Sequence, residues 1–212
     1  MREARHRMVR SQLLARGIAH RRTLAAMAHV PRHLFVPASL ADAAYDDGPL
    51  PVGARQTISQ PYIVALMTQA LEPRRGDRVL EVGTGTGYQT AILALLVREV
   101  YTIERLAALA ETARKRLRGL GLANIAFRVA DGTLGWPEAA PFDGVVVTAA
   151  TPSLPPALVD QLAPGGRIVA PVGDIAIQEL VVGVRTARGL ATRHHGPCRF
   201  VPLIGAQGFE GA

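Results

Sequence analysis

Cysteine is nearly absent. Cys198 is the one thiol in 212 residues, which excludes an internal disulfide and any multi-cysteine metal centre. Aromatic residues make up 5% of the chain, so its core must be built from Ala, Val, Leu and Ile. No apolar run has the length of a membrane span, and the first residues lead into no apolar stretch of the kind that marks a signal peptide. A reducing cytoplasm suits these absences, and no membrane partner is expected. Acidic charge is also short, with 17 Asp and Glu against 24 Lys and Arg, a net +7. A surplus of that size raises the question of nucleic acid. Nearly all of it is Arg spread along helix faces, which reads more simply as solvated surface, so a nucleic-acid partner is not expected.

What is present is ordinary globular material, 49% hydrophobic and 19% charged. Residues 4–16 and 21–29 read as amphipathic helices, the first stopped by Gly17 and the second by Pro31. Residues 33–37 read as short extended chain. Residues 46–58 carry the Gly, Pro and Asp of a loop, the stretch 48–60 is expected to fold over a ligand, and Pro61 opens a helix to about residue 71. From residue 78 strands and helices alternate: strands at 79–82, 99–103, 125–129, 144–148 and 167–171, helices at 88–97, 106–120 and 156–162. Two final strands follow at 180–186 and 191–200. The expected fold is therefore α/β: a Rossmann-like, seven-stranded, mostly parallel sheet with helices on both faces and an antiparallel edge. Residues 1–60 form a helical and loop extension on a core of 61–212, and one monomeric unit is expected.

The turn Gly83-Thr84-Gly85-Thr86-Gly87 follows a strand and opens a helix. Glycines there let the backbone approach a ligand closely. A dinucleotide fold needs G-x-G-x-x-G to seat a diphosphate. This turn is G-x-G-x-G with Glu81 just ahead of it, and a carboxylate so close favours a cation, such as the amino group of S-adenosyl-L-methionine. Glu104 closes the next strand, where an acid can bind ribose hydroxyls. Asp131-Gly132 follows the third strand, where Asp can bind the adenine amino group and Gly leaves room for the ring.

The segment Gln56-Thr57-Ile58-Ser59-Gln60-Pro61-Tyr62-Ile63-Val64-Ala65 resembles the signature of the protein-L-isoaspartate O-methyltransferases. The resemblance continues through Val30-Pro31-Arg32, Phe35-Val36-Pro37, Gly87-Tyr88-Gln89-Thr90-Ala91, Pro171-Val172-Gly173 and Arg199-Phe200-Val201-Pro202-Leu203. Thr86 stands where the family often has Ser, and Ala54-Arg55 replaces a more glycine-rich pair. The resemblance implies methylation of the free α-carboxylate of isoaspartyl residues in damaged proteins and peptides, with S-adenosyl-L-homocysteine as product. Ser59 would orient the substrate carboxylate, although its position also suits a helix cap. Implied cofactor contacts are Thr57, Ile58, Ser59, Glu81, Gly83, Thr84, Gly85, Gly87, Gln89, Glu104, Arg105, Asp131, Gly132 and Gln178. Implied substrate contacts are Thr57, Ile58, Ser59 and Val172. No metal is implied, and His194-His195 would point to opposite faces of a strand. Methylation of aspartate in one dedicated peptide is a related alternative. Methylation of RNA is a remoter one, because Thr148-Ala149-Ala150 stands where a base-extruding element would be expected.

Overall fold

The computed structural model describes residues 1–54 and 56–210. Arg55, one of the two residues that replace a more glycine-rich pair, lies outside them.

Helix α1 (Arg2–Met8) runs on through a π turn and a 3₁₀ turn to Arg16. Gly17 ends it in a left-handed conformation, with φ 88°. Helix α2 (Arg21–His29) follows. Strands β1 (Leu50–Gly53) and β2 (Gln56–Ile58) pair as a hairpin inside the segment expected to be loop. Helix α3 (Pro61–Leu71) begins at its proline. Then come β3 (Arg78–Val82), α4 (Tyr88–Ala94), β4 (Glu99–Glu104), α5 (Ala107–Gly119) and β5 (Ile125–Val129). The chain continues through β6 (Phe142–Val147), α6 (Pro156–Asp160), β7 (Leu162–Gly173), β8 (Gln178–Thr186) and β9 (Gly189–Cys198).

The main sheet has seven strands in the order β5-β4-β3-β6-β7-β8-β9. Its first four junctions are parallel, and β7-β8 and β8-β9 are antiparallel. The central strands are rich in buried apolar residues because helices cover both faces: Val79, Leu80 and Val82 of β3, with Glu81 between them, and Val145, Val146 and Val147 of β6 are all buried. Helix α5 buries one stripe, Ala110, Ala113 and Leu117, while Arg118 is exposed and Arg116 half-buried. β4 and β6 flank β3 on opposite sides, so successive crossovers diverge at the carboxyl end of β3. That divergence opens the crevice where ligands bind in sheets of this kind.

The N-terminal segment shares the core of the sheet domain. Met8, Leu13, Ile18, Met27 and Phe35 belong to the same buried cluster as Met67, Leu71, Tyr88 and Ile92. Gln69 of α3 accepts the Ala19 and His20 amides at 2.7 and 2.9 Å, stitching the two parts together. Of residues 33–37, expected to be extended, the first three belong to a 3₁₀ turn over Arg32–Phe35, and Val36 is extended. Tertiary packing sets that turn, because it carries Phe35 into the core, 5.4 Å edge-on to Tyr88. Among the described residues no helix is long and apolar enough to cross a membrane.

Candidate active site

The glycine turn leaves β3 with φ of 95° at Gly83, 55° at Gly85 and 90° at Gly87, a region that favours glycine. Space matters as well as conformation. A Cβ on Gly83 would collide with Thr148 Oγ1, which donates to the Val82 carbonyl at 3.0 Å. A Cβ on Gly132 would lie 2.5 Å from Val82 Cγ1. The bare backbone therefore forms the floor of a cleft of about 930 Å³, open mouth included.

Of the residues singled out in the sequence, Thr57, Ile58, Ser59, Gly83, Thr84, Gly85, Gln89, Glu104, Arg105 and Gly132 line this cleft. They come from the hairpin and the residue after it, from the glycine turn, from the first turn of α4 and from the carboxyl ends of β4 and β5, segments the fold brings to one edge of the sheet. Glu104 uses its two oxygens to accept the Gly85 and Leu106 amides at 2.9 and 3.0 Å, so it holds the turn in place from the cleft wall. Gln89 donates to Thr68 Oγ1 at 3.0 Å, while its Oε1 is buried with no protein partner among the described residues. An unpaired acceptor in the wall beside free backbone suits a ligand that brings its own N–H groups, as the amino group of S-adenosylmethionine does.

Five of the expected contacts do not line the cleft, and each has a physical reason. Gly87 begins α4, packed against Leu117. Gln178 is buried, donates to the Asp174 carbonyl and accepts the Phe200 amide at 2.8 Å, so it positions the chain beside the cleft. Val172 lies in β7 and bridges to Thr151. Asp131 spends its carboxylate on the protein, accepting Thr133 N at 2.8 Å, Thr133 Oγ1 at 2.7 Å and Ala206 N at 2.7 Å. Burial pushes the Asp131 pKa up, but those hydrogen bonds outweigh it and hold the group below the usual Asp range.

Glu81 is the fifth. It is fully buried behind the turn, where its Oε2 accepts Thr102 Oγ1 at 2.6 Å and Thr90 Oγ1 at 2.5 Å. Thr102 also bonds Thr84 Oγ1 at 2.6 Å, which links the acid to the cleft wall. Burial raises the Glu81 pKa to about 8, against the two hydroxyls that lower it. At neutral pH the group is mostly protonated. Glu81 therefore presents no negative charge at the cleft surface, where the sequence suggested a carboxylate that favours a cation, and the threonine chain connects it to Thr84 in the cleft wall.

Ser59 occupies the junction between this cleft and a second chamber. That chamber is also lined by Thr57, Tyr62, Cys198, Arg199 and Phe200. Gln60 is the N-cap residue of α3, and no side chain caps that helix. The Ser59 hydroxyl is thus uncommitted to capping and available to a ligand at the point where the two spaces meet.

Sequence reasoning left out several participants. Thr148, Ala149 and the run from Phe200 to Ile204 also line the cleft. Asp131 and Thr133 hold that run from below by accepting the Ala206 and Gln207 amides. Arg116, expected to be part of a solvated face, donates to the Thr86 carbonyl at 2.7 Å, and its guanidinium lies 5.5 Å from the Phe35 ring. A half-buried Arg facing the turn is legible only once α5 is placed against β3. Trp136 packs edge-on to Tyr101 at 5.4 Å, away from the cleft. His194 pairs with Glu179 across the β8–β9 ladder. Among the described residues no three His, Cys, Asp or Glu cluster as metal ligands.

The fold recurs in known proteins. A solved structure described as a protein-L-isoaspartate O-methyltransferase superposes with a TM-score of 0.85 at 27% identity, over 98% of this chain and 67% of that one. A Plasmodium falciparum structure, described as a putative protein-L-isoaspartate O-methyltransferase in complex with S-adenosyl-L-homocysteine, shares the fold. Its TM-score is 0.81 at 23% identity, over 94% of this chain and 98% of that one. The protein-L-isoaspartate O-methyltransferase of Trichlorobacter lovleyi is 58% identical over 208 residues, 98% of this chain and 96% of its own. Protein-L-isoaspartate O-methyltransferase 1 of Syntrophobacter fumaroxidans is 56% identical over 209 residues, 99% and 98%. The profile of the protein-L-isoaspartate(D-aspartate) O-methyltransferases matches residues 3–208, and the chain belongs to that family.

Proposed function

We propose that the protein transfers a methyl group from S-adenosyl-L-methionine to the free α-carboxylate of L-isoaspartyl residues in damaged proteins and peptides, so starting their repair. The observation that carries this reading is the meeting of Ser59 with the glycine turn in one cleft, with a second chamber leading away from Ser59. The family membership and the relatives at 56–58% identity favour it over a dedicated peptide substrate or an RNA.

When bound, S-adenosylmethionine supplies an electrophilic methyl on a sulfonium and leaves as S-adenosylhomocysteine. Gly83, Gly85 and Gly132 would offer it bare backbone, and Gln89 Oε1 and Glu104 would supply acceptors at the wall. A free α-carboxylate has a pKa of about 3.5, so it is already an anionic nucleophile at neutral pH and needs no general base. Ser59 donates a hydrogen bond to one carboxylate oxygen and aims the other. Ile58, Phe200 and Val201 exclude water, which favours a step in which opposite charges vanish. Once the methyl ester forms, the following backbone nitrogen attacks it, methanol leaves and a succinimide closes, which water then opens.

The working partners on this reading are isoaspartyl proteins and peptides, met by a monomer in the cytoplasm. The test is the chemistry of the product. Label from methyl-labelled S-adenosylmethionine should enter an isoaspartyl peptide as an ester and be released as volatile methanol in mild base. Label stable to base would mean nitrogen or carbon methylation and would contradict the reading.

A further inference from the structure

The second chamber has a composition of its own. It encloses about 800 Å³ with its mouth and shares Thr57, Ser59, Thr148, Phe200 and Val201 with the cofactor cleft. Any chain whose carboxylate reaches Ser59 must leave through a space of this kind. One residue spans at most about 3.6 Å, so the first side chain beyond the isoaspartyl residue falls inside it.

The walls carry charge of one sign. Arg16 and Arg199 line the chamber, and no carboxylate does. Arg16 is already engaged. Its guanidinium lies 3.7 Å over the Tyr62 ring and pairs with Asp47 at 3.0 Å, and Gln60 also donates to Asp47 at 2.7 Å. This group closes the rim as a neutral, braced unit joining the N-terminal helix, the loop before β1 and the start of α3. Arg199, just past the end of β9, has no ion-pair partner among the described residues, and it is exposed. The chamber therefore presents one uncompensated cation to whatever occupies it.

We propose that this chamber is the subsite for the side chain next to the isoaspartyl residue, and that Arg199 makes it select an acidic neighbour over a basic one. The inference rests on the isoaspartyl reading and adds a specificity-determining residue to it. Cys198 and Tyr62 supply the apolar remainder of the pocket, which accommodates the methylene stem of Glu.

The test uses one isoaspartyl peptide series with Glu, Gln or Lys placed immediately before or immediately after the isoaspartyl residue. At one of the two positions kcat/KM should rank Glu, Gln, Lys, with steps of about two- to fivefold, the size of an exposed ion pair. Arg199→Glu should reverse that ranking and Arg199→Gln should flatten it. The affinity for S-adenosylhomocysteine should stay as it is in both variants, which also reports that they fold. Raised salt should compress the ranking. An unchanged ranking in Arg199→Glu, or no ranking at either position while isoaspartyl peptides are methylated, overturns the subsite. Failure of the parent protein to methylate any isoaspartyl peptide overturns the underlying reading as well.

Discussion

Replacing Glu81 with Gln should stabilise the protein at neutral and alkaline pH. Glu81 is fully buried, its pKa is raised from 4.5 to about 8, and one of its oxygens has no partner. The sign follows from proton counting. Between pH 4.5 and 8 the folded protein keeps a proton that the unfolded chain releases. Stability from this group is therefore complete below pH 4.5 and declines as pH rises through 8. The slope is about 1.4 kcal/mol per pH unit. Gln is nearly isosteric with the protonated acid, can meet the Thr90 and Thr102 hydroxyls, and does not titrate. The variant should thus gain on the parent by about 3 kcal/mol between pH 5.5 and 8. Urea unfolding of both proteins across that range measures the difference. His20 and His33, whose pKa values burial lowers, oppose this slope but cancel between parent and variant. A stability difference that does not change with pH would refute the assignment of Glu81 as a protonated buried acid.

Two further predictions concern the cleft. Ser59→Ala removes a hydroxyl that no helix cap uses, and a hydrogen bond to a charged group is worth about 1.5–3 kcal/mol. Turnover should fall by about ten- to a hundredfold while the calorimetric affinity for S-adenosylhomocysteine is kept; equal turnover would remove Ser59 from the reaction. Arg116→Ala removes the hydrogen bond to the Thr86 carbonyl and the contact with Phe35, loosening the glycine turn. Cofactor affinity should drop about tenfold with peptide KM little altered, and Arg116→Lys should recover part of it; full affinity in the Ala variant would reduce Arg116 to surface.

The parallel sheet was legible because its inner strands are rich in buried apolar residues, as in β3 and β6, and because helices of regular period separate the strands. The hairpin at 50–58 was hidden by its prolines and glycines, which read as loop, although only two short strands were needed to bring Thr57 and Ser59 over the cleft. The turn at 32–35 was hidden because Phe35 is placed by packing against Tyr88, far away in sequence. In the site, positions carried by backbone geometry, the glycines and the strand ends, were readable from local pattern. Side-chain direction was not. Glu81 and Asp131 have the residue type of a ligand contact, yet their carboxylates turn to Thr90, Thr102, Thr133 and Ala206. Phe200 to Ile204 reach the cleft only because the chain folds back beside β6 after β9, through the bridge of Ala150 to Pro202.

The most direct measurement offers labelled S-adenosylmethionine with two peptides identical but for one linkage, isoaspartyl in one and normal aspartyl in the other. The account predicts methyl ester on the isoaspartyl peptide and almost none on its partner. Equal labelling of both, or of neither, would contradict it.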